Sequence, residues 1–258
     1  MGFVAGILGG LLGIGGGALI VPGLVFFLNF KQHRAHGTSL AAVLLLSLTS
    51  VIMYTRQGNI DWRLAAEMAA GGVTGAMIGA RVVKRIKGTV LRRVFSVFLI
   101  LVGVRMIWNG FGGDGAPQSA AQLAALHGAA WGTLVALGTG VMTGFTSALL
   151  GVGGGIVMVP AMVMLLSIPQ HVAQGVSLAA MLPTALTGML MHHKMGNVDF
   201  KVAKFVGLGA VFGAVLGALL AGRLDAHALK LGFGIFLIVI ATLMVLKKRE
   251  GAQAEASR

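Results

Sequence analysis

Two kinds of residue are scarce in this 258-residue chain: cysteine does not occur, and only 10% of the residues are charged. Without cysteine the chain can form no disulfide, thiolate metal site or cysteine nucleophile. A soluble domain carries about 25% charged residues, so this chain lacks the polar surface that a water-soluble fold needs. With 57% hydrophobic residues and a mean hydropathy of +0.91, the composition is that of a membrane protein.

Acidic residues are rare as well, with 7 Asp and Glu against 20 Lys and Arg. None of the seven lies at a clear centre of an apolar stretch, where cation pumps and many proton relays place carboxylates. A cation substrate is therefore not expected. The net charge of +13 falls in short basic runs between apolar stretches, which is typical of membrane loops, so no nucleic-acid partner is expected either.

The chain also lacks a Ser-His-Asp set, a zincin motif and a nucleotide-binding loop. Each of these motifs is the sequence signature of a particular chemistry. We therefore expect no enzyme, no catalytic residues, no cofactor and no metal site.

The apolar stretches are long and continuous, which predicts helices, since membrane β-strands alternate apolar and polar residues. The predicted fold class is all-α, a polytopic helical membrane protein with two homologous repeats of about four to five membrane segments. Apart from two glycine-containing segments, the apolar stretches lie near 38–55, 64–83, 94–109, 176–193, 203–222 and 231–246.

A shift of 138 residues aligns the two halves of the chain without a gap, from Gly6 on Gly144 to Met106 on Met244. Duplication of a multi-helix unit is common in secondary transporters. We expect a first repeat at 1–110 with a short leading helix, a linker at 111–125, a second repeat at 126–246 and a polar C-terminal tail at 247–258.

The distribution of Lys and Arg predicts how the repeats cross the membrane. If the halves were parallel, the basic loops would divide almost evenly between the two sides, which the positive-inside rule disfavours. If the segment at 126–168 makes two passes, or one pass and a re-entrant piece, most basic residues gather on one side. This predicts an inverted repeat in a bacterial-type inner membrane, with the C-terminus in the cytoplasm.

The pattern Gly-x-Gly-Gly-Gly, followed by apolar residues and proline, occurs once in each half. Adjacent glycines destabilise a helix by about 1 kcal/mol each relative to alanine, so we expect broken helices. A broken helix exposes backbone N–H groups at a positive helix end, which suits an anion. Close helix packing or a tight turn outside the membrane is the alternative. The predicted backbone donors are Gly15, Gly16, Gly17, Gly153, Gly154 and Gly155.

Polar residues follow each glycine segment and are candidate ligands for the same site. Thr38 and Ser39 lie in the first half, and Gln174 and Ser177 lie in the second. For a single hydroxyl, a hydrogen bond to its own helix is the usual alternative. The repetition of serine at Ser39 and Ser177 favours binding.

Two further repeated motifs predict structure rather than chemistry. Gly71-x-x-x-Gly75-x-x-x-Gly79 and its counterpart from Gly209 to Gly217 predict close helix packing, within one protomer or between protomers. Gly-Asn-x-Asp at 58–61 and at 196–199 predicts a turn followed by a helix N-cap.

The sequence resembles the sulfite exporter TauE/SafE family, the four-plus-four permeases of sulfur-containing anions. The resemblance covers nearly the whole chain and depends on GILGGLLGIGGGALIVP, GTSLAAVLL and GNIDWRLA, together with their second-half counterparts GFTSALLGVGGGIVMVP, GVSLAAM and GNVDFKVA. It differs from that family in its short N-terminus. The resemblance implies a secondary permease for sulfite, thiosulfate or organosulfonates.

The sequence thus predicts a secondary transporter of small sulfur-containing anions in a lipid bilayer, with protons as a possible coupling ion and a homodimer as a possible assembly. Two other functions fit the same duplicated fold. One is a channel for small anions or neutral solutes, and the other is a membrane scaffold that transports nothing.

Overall fold

The computed structural model describes residues 1–82, 88–111, 130–150 and 154–256. Within these ranges it contains ten helices and no strand, which confirms the predicted all-α class with broken helices. The helices are α1 (Gly2–Leu12), α2 (Gly17–Phe27), α3 (Gln32–Arg56), α4 (Trp62–Val82), α5 (Gly88–Phe111), α6 (Ala130–Leu150), α7 (Gly155–Leu165), α8 (Gln170–Lys194), α9 (Phe200–Ala221) and α10 (Ala226–Ala256).

Four helices of the described part are long and apolar enough to cross a membrane: α3, α8, α9 and the Ala226–Leu243 part of α10. The repeat seen in the sequence is also a repeat of helices, since the 138-residue shift places the start of α2, α3, α4 and α5 on the start of α7, α8, α9 and α10. The polar tail predicted at 247–258 continues α10 as far as Ala256.

The helices form two compact units. One contains α1 to α4 and α6 to α9, and the other contains α5 and α10. In the second unit, Gly103 and Gly234 bring the two helices into close contact, and Ile107 also packs on Gly234. The first unit contains every residue predicted to bind substrate.

In the first unit, the leading helix of each half packs on the fourth helix of the other half. Helix α1 lies on α9, and α6 lies on α4. Gly6 and Gly10 of α1 contact the backbone of Ala210 and Ala214 of α9 in the same order, so the two helices run parallel. The Gly-x-x-x-Gly motifs therefore provide close packing within the chain, because small residues let helix backbones approach.

The two equivalent helices α3 and α8 pack against each other in the antiparallel sense. Gly37 of α3 lies beside His192 of α8, near one end of the contact. Tyr54 forms a hydrogen bond with Gln174 near the other end. Residue numbers thus rise along one helix as they fall along the other, so a two-fold axis perpendicular to both helices relates the pair.

Each glycine segment folds back on the helix that precedes it. Gly16, just before α2, lies against the carbonyl oxygen of Ala5 in α1, and Gly154, just before α7, lies against Thr143 in α6. Further along α2, Gly23 contacts Met1. Helices α1 and α2 therefore form a hairpin whose tip contains the glycine cluster, and Gly154 places the start of α7 against α6 in the corresponding way.

Gly144→Ala tests the glycine contact between α6 and α4. A methyl group at Gly144 would overlap the carbonyl oxygen of Gly72, and overpacking of this kind costs about 1–3 kcal/mol. We expect the unfolding temperature of the detergent-solubilised protein to fall by about 2–10 °C.

The control is Gly138→Ala on the same helix, where a methyl group would meet nothing within 4 Å. This variant should match or exceed the wild type, because alanine favours the helix. Equal destabilisation by both variants would contradict the packing described here.

Candidate functional site

The first glycine cluster breaks the helix by its backbone conformation. Between the end of α1 and the start of α2, Gly13, Gly15 and Gly16 have φ angles of 72°, 70° and 69°. This left-handed region is open to glycine at little cost and is unfavourable for residues with a Cβ. Three such residues within four positions reverse the chain and begin α2 at Gly17.

The second cluster lies between α6, which ends at Leu150, and α7, which begins at Gly155. Gly154 caps α7 with a φ of −69°, a right-handed conformation that differs from the left-handed one of its counterpart Gly16. Gly153, which the sequence analysis assigned to the site, lies outside the described residues.

The first break contacts the beginning of α7. A Cβ on Gly155 would lie 2.6 Å from the Cα of Ile14 and 3.0 Å from the Oγ of Ser177, and it would overlap the carbonyl oxygen of Gly13. A Cβ on Gly13 would in turn lie 2.6 Å from the Cα of Gln174. We call Gly13, Gly155, Gln174 and Ser177 the Gln174 subsite.

The start of α7 contributes backbone donors to this subsite. The N–H groups of Val157 and Met158 both donate to the carbonyl oxygen of Gly154, and these are the first hydrogen bonds of the helix. The preceding N–H groups, those of Gly155 and Ile156, have no acceptor within their own helix, as at every helix start. They carry the positive end of the helix dipole, which favours an anion.

The side chains of the subsite are buried and poorly paired. Gln174 and Ser177 are both 0% exposed. The Nε2 atom of Gln174 has no hydrogen-bond partner among the described residues. Within the same part of the chain, Ser177 has only a weak contact with the sulfur of Met181 at 3.9 Å. Buried polar groups normally find partners, so these donors are candidates for binding a ligand.

The mid-helix hydroxyl groups of threonine are paired within their own helices. Thr49 donates to the carbonyl oxygen of Leu45, and Thr187 donates to that of Pro183. Ser39 differs: it is 0% exposed, and its Oγ has no partner in the described part of the chain. Of the hydroxyl groups singled out from the sequence, the two repeated serines are therefore those that form no strong hydrogen bond with another described residue.

Ser39 and Ser177 nevertheless do not meet. The hydrogen bond between Tyr54 and Gln174 marks one point of the α3–α8 contact. Ser177 lies one helical turn from this point on α8. Ser39 lies about 22 Å from it on α3, at a rise of 1.5 Å per residue. The two serines are thus on opposite sides of the middle of the α3–α8 contact, roughly 18 Å apart along it. The repeat counterparts of Gly155 and Gln174 are Gly17 and His36, just as that of Ser177 is Ser39.

The structure places two of the other candidates in packing positions. A Cβ on Gly15 would meet the side chains of Met181 and Val43, and one on Gly16 would lie 2.9 Å from Leu46. For these two glycines, the positive φ angle and the close packing account for the residue type.

Thr38 has a structural partner at the start of α9. It is 0% exposed, and its Oγ1 accepts a hydrogen bond from the N–H of Asp199 at 3.0 Å. Asp199 caps α9 by accepting from the N–H of Val202, and Asp61 accepts in the same way from Leu64. The predicted Gly-Asn-x-Asp turns with N-caps are therefore confirmed, and Thr38 lies with one of them rather than in the Gln174 subsite.

Tyr54 is the residue of the candidate site that sequence reasoning missed. It is 0% exposed on α3, and its hydroxyl lies 3.2 Å from the Oε1 of Gln174 and 2.9 Å from the carbonyl oxygen of Gly10. One signal was available in the sequence, since this is the only tyrosine in the chain. Its proximity to Gln174 depends on the register of α3 against α8.

The four apolar helices of the described part that are long enough to span a membrane, and the crossed packing of the two halves, are those of a polytopic helical membrane protein. The chain belongs to the sulfite exporter TauE/SafE family, whose model matches it twice, at residues 1–143 and 136–258. The two matches correspond to the two repeats.

Three relatives span nearly the whole chain. "Probable membrane transporter protein YunE" of Bacillus subtilis is 28% identical, covering 95% of both chains. A "Probable membrane transporter protein" of Xylella fastidiosa is 32% identical over 95% of this chain and 91% of its own. Another of that name, from Haemophilus influenzae, is 25% identical over 96% of both. No solved structure matches the chain.

An ion pair joins the two halves at the start of α9. The Arg34 guanidinium is 2.7 Å from the carboxylate of Asp199. The pKa of Asp199 lies below its ordinary value, mainly because the carboxylate accepts the N–H of Val202 and also because Arg34 pairs with it; partial burial acts in the opposite direction. A lowered carboxyl pKa stabilises the folded protein above the ordinary value of 3.8, and this stabilisation is lost as the pH falls through the folded-state pKa.

Asp199→Asn tests this pair, because asparagine can still cap the helix while the charge is removed. We expect a modest loss of thermal stability at pH 7, since exposed ion pairs contribute little. The difference from wild type should shrink as the pH falls below 3.8. Arg34→Gln should give a similar loss, and the double variant should add little. A difference that stays constant from pH 7 to pH 3 would contradict the assignment.

Proposed function

We propose that this protein is a secondary transporter of small sulfur-containing anions, such as sulfite, thiosulfate or organosulfonates. The observation that supports the proposal is the Gln174 subsite, where the start of α7 meets the buried Gln174 and Ser177 beside the backbone of Gly13. All of its donors are neutral. Such a site can bind an anion with hydrogen bonds and a helix dipole while leaving it free to dissociate.

We place a second subsite at Gly17, His36 and Ser39, which are the repeat counterparts of Gly155, Gln174 and Ser177. In the proposed mechanism the anion passes between the two subsites as the hairpins rearrange around the α3–α8 contact, so that each subsite opens to one side of the membrane. Two weak sites in sequence allow release where a single tight site would retain the anion. The assignment of Gly153 and Gly154 to this path belongs to the proposal.

We further propose that the halves, 1–110 and 126–246, are inverted across an inner membrane, with the C-terminus in the cytoplasm. The antiparallel packing of α3 on α8 supports this orientation, because equivalent helices of parallel repeats would run in the same direction. Protons as coupling ion and a homodimeric assembly are parts of the same proposal.

Uptake of radiolabelled sulfite, thiosulfate and methanesulfonate into proteoliposomes, with and without a pH gradient, tests the proposed function. We expect saturable uptake and counter-exchange of at least one anion. Ser177→Ala should raise KM about tenfold or more, because a hydrogen bond to a charged ligand contributes about 1.5–3 kcal/mol.

Gly155→Ala should abolish uptake, and the exposed Gly138→Ala serves as its matched control with wild-type kinetics. The Ser177→Ala variant keeps the packing intact, so its KM reports on binding even if Gly155→Ala folds poorly. Non-saturating flux without counter-exchange would contradict a transporter and favour a channel. An unchanged KM in Ser177→Ala would remove that residue from the site.

A further inference from the structure

The hydroxyl of Tyr54 connects two parts of the Gln174 subsite. It donates to the carbonyl oxygen of Gly10 at 2.9 Å, in the last turn of α1 before the break, and to the Oε1 of Gln174 on α8 at 3.2 Å. A buried phenol requires a hydrogen-bond partner, and a single proton shared between two acceptors satisfies both partly. Tyr54 therefore holds the break and the amide in one arrangement.

This arrangement determines which end of the Gln174 amide remains open. An amide has an acceptor oxygen and a donor nitrogen. The oxygen faces the phenol, and the nitrogen, with two N–H groups, has no partner among the described residues although Gln174 is 0% exposed. A ligand that offers oxygen acceptors would satisfy both N–H groups, whereas a ligand that offers N–H donors would leave them unpaired.

The equivalent positions around Ser39 have no phenol–amide pair. The counterpart of Tyr54 is His192, and the counterpart of Gln174 is His36. The phenol–amide pair is therefore particular to one subsite, and its donors carry no charge that changes near neutral pH. Selection of the ligand at this subsite depends on hydrogen-bond polarity.

We propose that Tyr54 is a positioning residue that makes the Gln174 subsite selective for acceptor-only oxyanions by fixing the orientation of the Gln174 amide. This inference rests on the proposed function and adds the physical basis of its substrate class. A site whose buried N–H donors have a fixed orientation discriminates strongly against ligands that cannot accept hydrogen bonds from them. Without the phenol, the amide can turn its oxygen toward the ligand, and the discrimination weakens.

Tyr54→Phe tests the inference with a pair of ligands of nearly equal shape. Methanesulfonate offers only acceptors and carries a charge, whereas the neutral methanesulfonamide replaces one of its three oxygens with an NH2 donor. Because this difference in charge is the same for wild type and variant, the change in their inhibition ratio reports on the amide. In wild-type proteoliposomes, methanesulfonate should inhibit uptake of the transported anion far better than methanesulfonamide does. In Tyr54→Phe, KM should rise about tenfold with kcat within about twofold, and the ratio of the two inhibition constants should move toward one.

The single tyrosine allows a direct measurement of binding that does not depend on transport. Wild-type protein labelled with 3-fluorotyrosine gives one ¹⁹F resonance, from Tyr54. Titration with thiosulfate should shift this resonance, and the shift should be lost in Gln174→Leu. If Tyr54 had a purely structural role, Tyr54→Phe would lower the thermal stability and leave the ratio of the two inhibition constants unchanged.

The outcomes separate this inference from the proposed function. If transport is saturable and weakened by Ser177→Ala, but Tyr54→Phe keeps the wild-type KM and selectivity, the positioning role is wrong and the transporter stands. If no anion is transported and thiosulfate leaves the ¹⁹F resonance unmoved, both are wrong. A shifted resonance with an altered inhibition ratio in Tyr54→Phe supports both.

Discussion

Direct contact between helix backbones at glycine is the interaction on which the rest of the structure depends. Association of helices in a bilayer gains little from the hydrophobic effect and relies on close packing. Here α1 packs on α9, and α6 packs on α4. At the glycines of these helices, a carbonyl oxygen of the neighbouring helix occupies the space that a side chain would need. The same requirement places Gly155 on the backbone of Gly13, which brings the beginning of α7 against the first break. The glycines that interrupt the helices therefore also position the interrupted ends.

This packing creates a polar site without a buried charge. The Gln174 subsite combines the start of α7 with an amide and a hydroxyl, both fully buried. Fixed neutral donors attract an anion less strongly than an arginine would, and they avoid the cost of burying an unpaired cation in the membrane. A transporter must release its substrate, so moderate affinity suits the proposed role. The α3–α8 contact runs past the Gln174 subsite and past the proposed second subsite, and a shift of one helix along the other would alter both.

Much of this architecture could be predicted from the sequence, because glycine clusters, apolar stretches and internal repetition are local or periodic signals. The broken helices follow from Gly13 to Gly16, and the N-caps follow from the spacing of Asp61 and Asp199. The partners across the fold could not be predicted. Tyr54 meets Gln174 only because α3 and α8 are antiparallel, and Thr38 meets the N–H of Asp199 for the same reason. Repetition shows which residues are equivalent, and only the direction of packing shows which of them meet.

The central claim is that the two halves are inverted and that the glycine break of the first half contacts helices of the second half. Since the chain has no cysteine, single-cysteine variants Asn59→Cys and Asn197→Cys in the two Gly-Asn-x-Asp turns give a clean topology measurement. In right-side-out and inverted membrane vesicles, a membrane-impermeant maleimide should label the two variants from opposite sides, with Asn197→Cys labelled from the cytoplasmic side. Labelling of both turns from the same side would show that the repeats are parallel and would contradict the account.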